Sequence, residues 1–257
     1  MERAAGRPRP PTDHLQHPLR KARPSPSVSA VFHVASRAGG DRCCKTRIVD
    51  VQAAYDAVAS AYAERFRDEL DEKPFDVKML EWLAERAGSI GPICDMGCGP
   101  GQVAAYLQAR GYDTCGVDLS AEMVRHAGRA NPGIPFEQGD MRDLAAVTDS
   151  TYGGIAAFYS IVNLAQDEHP RAFREFSRVL RPGGWLLLSF HVGVETRHVD
   201  EFLGTAVSLD FHFFPPSVVR RQLLDSGLDV TEVIEREPYD ESVEAQTTRA
   251  YLFAQAR

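Results

Sequence analysis

Between positions 49 and 66 apolar residues recur at helical spacing: Val51, Ala54, Tyr55, Val58, Ala61, Tyr62 and Phe66 form one stripe. Tyr55 and Tyr62 are seven positions apart and share a helix face. A second helix is expected over 74–87, with Phe75, Met79, Trp82 and Leu83 as its apolar side and Pro74 in its first turn. From residue 90 the pattern changes. Short apolar runs at 90–95, 112–117, 134–138, 152–159 and 185–190 alternate with helical stretches at 101–110, 121–129, 170–180 and 216–226. Such alternation predicts an α/β protein in three layers, with helices on both faces of a parallel sheet. Two further β runs, 228–236 and 247–255, have no helix between them. The second must therefore return antiparallel, which completes a seven-stranded, mostly parallel sheet with an antiparallel last strand.

Residues 1–46 break this pattern. Six prolines and no apolar periodicity predict a basic, Pro-rich extension without structure of its own. It lacks the apolar core of a secretory signal and the amphipathic helix of a transit peptide. The folded domain is expected over 47–257. Charge divides the same way: residues 1–47 carry ten basic and three acidic side chains, whereas the remainder carries nineteen basic and thirty-three acidic. An acidic domain is poorly suited to a phosphate backbone, so no nucleic-acid partner is expected. No apolar run is long enough to span a bilayer, so no membrane partner is expected either. Five cysteines without a Cys-x-x-Cys pair argue against a zinc site and suit a reducing, cytoplasmic setting.

The chemistry concentrates at Ile93-Cys94-Asp95-Met96-Gly97-Cys98-Gly99-Pro100-Gly101-Gln102. An apolar run ends in an acid, three glycines follow at alternate positions, and a helix begins. This strand–turn–helix lets a ligand approach bare backbone near a helix N-terminus. A dinucleotide fingerprint would need glycine at position 102, where Gln102 stands, so a nicotinamide-dependent oxidoreductase is the weaker alternative. Asp118 closes the second β run, one βα unit after Asp95, where a carboxylate can grip both hydroxyls of a ribose. Ser120 is placed to cap the helix after it.

The D-x-G-x-G-x-G pattern resembles the first motif of class I S-adenosylmethionine-dependent methyltransferases. Gly139-Asp140, Tyr159-Ser160 and Leu180-Arg181-Pro182-Gly183-Gly184 strengthen the resemblance, each in its proper order. The resemblance implies a Rossmann-like core over 89–257 and a helical lid over 47–88, in which Tyr62 covers the cofactor. It implies that Asp95, Gly97, Gly99 and Gly101 hold the methionine end of S-adenosyl-L-methionine. Asp118 would take the ribose, Leu119 would pack beside the adenine, and Asp140 and Met141 would meet the adenine edge. Tyr159 opens a run that in such enzymes often ends in histidine; here Asn163 holds that place, and an amide cannot accept a proton at neutral pH.

The activity implied is methyl transfer to a small-molecule acceptor by in-line displacement, with no metal. A non-catalytic adenosylmethionine-binding protein is the alternative. His191, at the end of the fifth strand, is the candidate general base. His198, Asp210 and His212 follow in an insert near 195–214 whose aromatic residues Phe211, Phe213 and Phe214 could roof an acceptor pocket.

Overall fold

A computed structural model of the chain describes residues 49–257. The extension at 1–46, with Cys43 and Cys44, lies outside the described residues.

Every local signal at the first crossover is used. Strand β1 (Ile93–Met96) is buried along its whole length, as a strand covered on both faces must be. Helix α3 (Gln102–Gln108) follows, then β2 (Thr114–Asp118), α4 (Ala121–Ala130) and β3 (Phe136–Gln138). Ser120 caps α4, accepting from the Met123 amide at 3.1 Å. After β4 (Tyr152–Phe158) come α5 (His169–Val179), β5 (Leu180–His191), β6 (Thr196–Phe202), β7 (Thr205–His212), α6 (Pro216–Asp225), β8 (Leu228–Arg236) and β9 (Arg249–Ala256). Ahead of them stand α1 (Val51–Phe66), capped by Asp50, and α2 (Pro74–Ala87), which opens on the expected proline.

Seven strands form one sheet in the order β3-β2-β1-β4-β5-β9-β8. The pairs from β3 through β5 are parallel, and β9 runs antiparallel to both neighbours. Strand order reverses between β1 and β4, and open α/β sheets bind ligands at that crevice. Alternation along β1 sends Ile93 toward α2 and α3, while Cys94 and Met96 face the cluster built with α4, α5 and α6. Asp95 shares the α3 side, so its carboxylate ends under the first turn of that helix.

Two expectations change, and the fold of the insert is new. Of the two N-terminal helices, α1 is the one that lies over the crevice. Helix α2 is a layer of the sandwich, because Met79, Leu80 and Leu83 are buried against Ile93, Tyr251 and Phe253. Strand β5 begins at Leu180 rather than 185: a register shift between Tyr152 and Gly154 lets Leu180 pair with Tyr152, so Arg181 to Gly184 are carried inside the strand. The insert at 195–214 is a β-hairpin, β6 against β7, turned by Leu203 and Gly204 at φ 50° and 78°. Two successive positive φ values match the twist of a tight hairpin.

Candidate functional site

The glycine turn after β1 is pinned from below. The amides of Gly97 and Cys98 both donate to the carbonyl of Val117, at 2.7 and 3.1 Å. A Cβ at Gly97 would lie 2.4 Å from that of Ser160, so the turn and the end of β4 touch backbone to side chain. Gly99, by contrast, has only the Tyr62 ring near it, at 3.7 Å. Gly101 is different in kind. It lines neither cavity; a Cβ there would meet Phe136 at 2.7 Å and Ala127 at 3.1 Å. Its glycine is required by the packing of β3 and α4 under the turn.

Asp118 leans over the same loop. One carboxylate oxygen accepts from the Gly99 amide and the other from the Ser120 amide, each at 2.8 Å. This fixes its orientation and leaves a lone pair on each oxygen for two hydroxyls. Burial raises its pKa, against the pull of those two amides. Asp95 is 2 % exposed and accepts from the Ala104 amide at 3.1 Å. Burial pushes it up to about 8, with Asp118 and Glu69 adding like charge.

A cavity of about 680 Å³ runs along the crevice, bordered by Gly97, Gly99, Asp118, Leu119, Asp140 and Met141. With Tyr62 and Tyr159, eight of the sequence candidates therefore meet on one surface. Tyr62 and Tyr159 line both this cavity and its neighbour. The Met141 methyl reaches the face of Gly97. Asp140 is held by Arg142, whose Nε and terminal nitrogen donate at 2.9 and 2.7 Å. Burial alone would raise Asp140, but the guanidinium wins and keeps it below the usual carboxylate range.

A second cavity opens beneath α1, walled by Tyr55, Tyr62, Phe66, Phe202 and Phe211, with Asp95 and His191 on its inner side. Tyr62 packs on Phe66 with ring centres 4.4 Å apart and on Phe202 at 6.2 Å, so lid helix and hairpin close on each other. Asn163 latches them: it accepts from the Tyr55 hydroxyl at 2.9 Å and donates to the Asp210 carbonyl at 3.0 Å. The position that lacks a histidine thus holds the roof. Asp56 of α1 adds a second anchor, accepting from the Ser120 hydroxyl at 2.5 Å and the Glu122 amide at 3.2 Å.

His191 is buried, with Nδ1 2.8 Å from the Thr247 hydroxyl and its ring stacked on Phe213 at 5.2 Å. Burial first, then the cations Arg249, Arg197, Lys73 and Arg236, press its pKa down to about 3. The imidazole is neutral at physiological pH but a feeble base. His198 and Asp210 do meet, at 2.6 Å, on the hairpin. Among the described residues no group of three His, Cys, Asp or Glu side chains is arranged to hold a metal. No helix among them is long and apolar enough to cross a membrane.

Several residues at this site carried no sequence signal. Glu69, in a short 3₁₀ turn after α1, accepts from Lys73 at 2.8 Å and from Gln102 at 2.7 Å, tying the roof to the first residue of α3. Asp76 lines the second, inner cavity and Tyr251 lies buried behind it, one in a helical first turn and one inside an apolar strand, where sequence reads them as surface and core. Two buried atoms in the crevice, the Gln102 carbonyl oxygen and the Ser160 hydroxyl, have no hydrogen-bond partner among the described residues.

A family model described as a methyltransferase domain matches residues 93–184. Over that stretch the chain is similar to methyltransferase domains. The match begins at β1 and ends in the Gly183-Gly184 pair of β5, so it spans the glycine turn, Asp118 and Asp140. The chain is 33% identical over 122 residues to a trans-aconitate 2-methyltransferase of Deinococcus radiodurans, covering 46% of this chain and 44% of that one. It is 35% identical over 127 residues to an S-adenosyl-L-methionine-dependent Diels-Alderase, iccD, of Talaromyces variabilis, covering 47% and 41%. The chain spans about half the length of the curated relatives it matches. Among solved structures, an SAM-dependent methyltransferase from Methanosarcina mazei superposes with a TM-score of 0.60 at 19% identity, covering 68% of this chain and 96% of that one. This last likeness is one of fold: the chain here shares its α/β sandwich.

Proposed function

We propose that this protein transfers the methyl group of S-adenosylmethionine to a small-molecule acceptor. The observation that carries the reading is the clamp at Asp118, aimed by two amides at the mouth of a glycine turn that leads into a second, aromatic-walled cavity. The residues present fit the cofactor. Asp118 offers two acceptors for the ribose hydroxyls. The orphaned Gln102 oxygen and the Asp95 carboxylate offer acceptors for an ammonium. Gly99, with only the Tyr62 ring near it, offers the ligand bare backbone. Asp140 and Met141 line the same cavity and would meet the adenine.

When bound, the cofactor supplies an activated methyl group. The protein then supplies alignment and dryness. Tyr62, at the junction of the two cavities, separates cofactor from solvent, and the Asn163 latch keeps α1 in place over them. The aromatic walls of the inner cavity and the acidity of the domain support a small molecule rather than a nucleic acid. Free thiols at Cys94, Cys98 and Cys115 agree with a reducing, cytoplasmic setting. The sequence reading of His191 as general base is not carried forward: a conjugate acid near 3 is far from the match to operating pH that such a base needs.

A second reading is favoured by one observation. The relative named as a Diels-Alderase depends on the same cofactor, so this chain could hold it to shape a pocket rather than to spend its methyl group. Calorimetric titration of adenosylmethionine and adenosylhomocysteine tests the core of both. Binding should be micromolar in the wild type and weakened by roughly tenfold or more in Asp118→Ala, the loss expected for charge-assisted hydrogen bonds. Wild-type binding in the variant would remove the ribose clamp. Release of adenosylhomocysteine on adding acceptor separates methyl transfer from the pocket-shaping alternative.

A further inference from the structure

A chain of hydroxyl groups runs behind the wall of the inner cavity, from Tyr159 through Tyr251 to the buried carboxylate of Asp76. Tyr159 Oη and Tyr251 Oη are 2.9 Å apart. The Tyr251 hydroxyl donates to Oδ1 of Asp76. Asp76 is 1 % exposed, in the first turn of α2, and Tyr251 is fully buried in β9. The direction of the chain follows from counting hydrogens. An ionised Asp76 can only accept, so the single Tyr251 proton points to it. The Tyr251 oxygen already accepts from Arg236 Nε at 3.1 Å. Tyr159 must therefore give its proton to the other lone pair of Tyr251. That leaves the Tyr159 oxygen as an acceptor at the wall between the two cavities, asking for a donor from the ligand.

Tyr159 is held there by backbone that tyrosine seldom adopts. Its φ is +51°, and its amide bonds the Ser189 carbonyl at 3.0 Å. The groups facing Asp76 are Lys73, Arg236, Glu244 and Tyr251; burial raises its pKa, and the Tyr251 bond and the two cations only partly offset that. A buried carboxylate with raised affinity for a proton is a usable sink.

We propose that Tyr159, Tyr251 and Asp76 form a proton relay that activates a phenolic acceptor. This deepens the methyl-transfer reading and rests on it. Two observations select a phenol. The walls are aromatic, and the links of the relay are phenols, which pass a proton on readily only from a group of similar acidity. A carboxylate acceptor would bring no proton for the chain of hydroxyls to move, whereas a phenol brings one. In the step, the acceptor oxygen bonds the methyl carbon as the carbon–sulfur bond breaks with its electron pair going to sulfur. The acceptor proton moves to Tyr159, that of Tyr159 to Tyr251, and that of Tyr251 to Asp76, which ends neutral. Tyr159 is the catalytic residue; Tyr251 and Asp76 act through it.

The test uses the full chain with 4-methylphenol and 4-nitrophenol as probes. With adenosylhomocysteine bound, calorimetry should show 4-methylphenol binding that Tyr159→Phe weakens by roughly three- to tenfold, the worth of one neutral hydrogen bond. Tyr251→Phe should keep that binding but lower kcat on 4-methylphenol by about 100-fold with KM unchanged. On 4-nitrophenol, already ionised in mildly alkaline buffer, the same deficit should shrink below about threefold, because no proton remains to be moved. An equal deficit on both phenols, or none on either, overturns the relay. So does a wild-type chain that binds adenosylmethionine but neither binds nor methylates 4-methylphenol. Failure to bind adenosylmethionine at all would instead remove the methyl-transfer reading beneath it.

Discussion

Binding of the cofactor should release a proton, and Asp95 is its source. In the unliganded chain this carboxyl is buried, bonded once, and raised from 3.8 to about 8. At neutral pH it is therefore mostly protonated. An ammonium arriving beside it reverses that preference, since an opposite charge at contact favours the ionised form. Ligand binding and deprotonation are thus linked. Between the two pKa limits the apparent Kd should fall by up to about tenfold for each unit of rising pH, then level off near 8. The sign for folding is the opposite. Over the same interval the native, empty chain holds a proton that the unfolded chain has lost, so its stability falls as pH rises from 3.8 toward about 8. Titrating adenosylhomocysteine by calorimetry in two buffers of different ionisation heat reads the proton directly. Near pH 7 close to one proton should be released per ligand in the wild type, and none in Asp95→Asn, whose Kd should be flat with pH. An apparent Kd that is flat in the wild type, with no proton released, would refute the placement of the ammonium at Asp95.

Other consequences follow from the same geometry. Gly101→Ala should cost about 1–3 kcal/mol of stability in denaturant unfolding, from positive φ and the clash with Phe136, while the variant that does fold binds adenosylhomocysteine normally. Asn163→Ala removes both halves of the roof latch and should speed hydrogen exchange in α1 beyond what Tyr55→Phe does, because the latter leaves the bond to Asp210 intact. His191→Gln should leave the pH–rate profile of methyl transfer unmoved, and a shifted limb would restore the imidazole as a base. His169 and His191 are lowered to about 4 and about 3, so the native chain binds fewer protons than the unfolded one between 6.5 and those values. Their contribution to stability is present above 6.5 and lost as pH falls through that range; an acid unfolding curve of His191→Gln should lose part of this slope.

What could be read along the chain, and what could not, divides by the distance over which the physics acts. Asp95, the glycines and Ser120 are legible because strand, turn and cap chemistry is settled within a few residues. The antiparallel return of β9 is legible for the same reason, since a missing helix leaves no parallel route. Even in the glycine run, however, spacing alone cannot assign purpose. Gly97 and Gly99 border the crevice, while Gly101 serves Phe136, which lies thirty-five positions later. The hairpin at 195–214 was hidden because an insert beside a sheet can fold in many ways, and the positive φ of Leu203 is not a leucine preference.

The inner cavity is the extreme case. Asp76 and Tyr251 are 175 positions apart and each looks ordinary where it stands. Asp76 reads as a first-turn acid that favours a helix N-terminus, and Tyr251 reads as one more large side chain in a buried strand. Only the insertion of β9 between β5 and β8 brings the tyrosine over α2, and only there does its hydroxyl need a partner. The same reversal of strand direction sets Arg249, at the start of β9, beside His191, at the end of β5. One topological feature thus supplies the phenol of the relay and a cation that lowers the histidine's basicity. The candidate base visible in the sequence and the relay found in the structure are linked outcomes of that single strand.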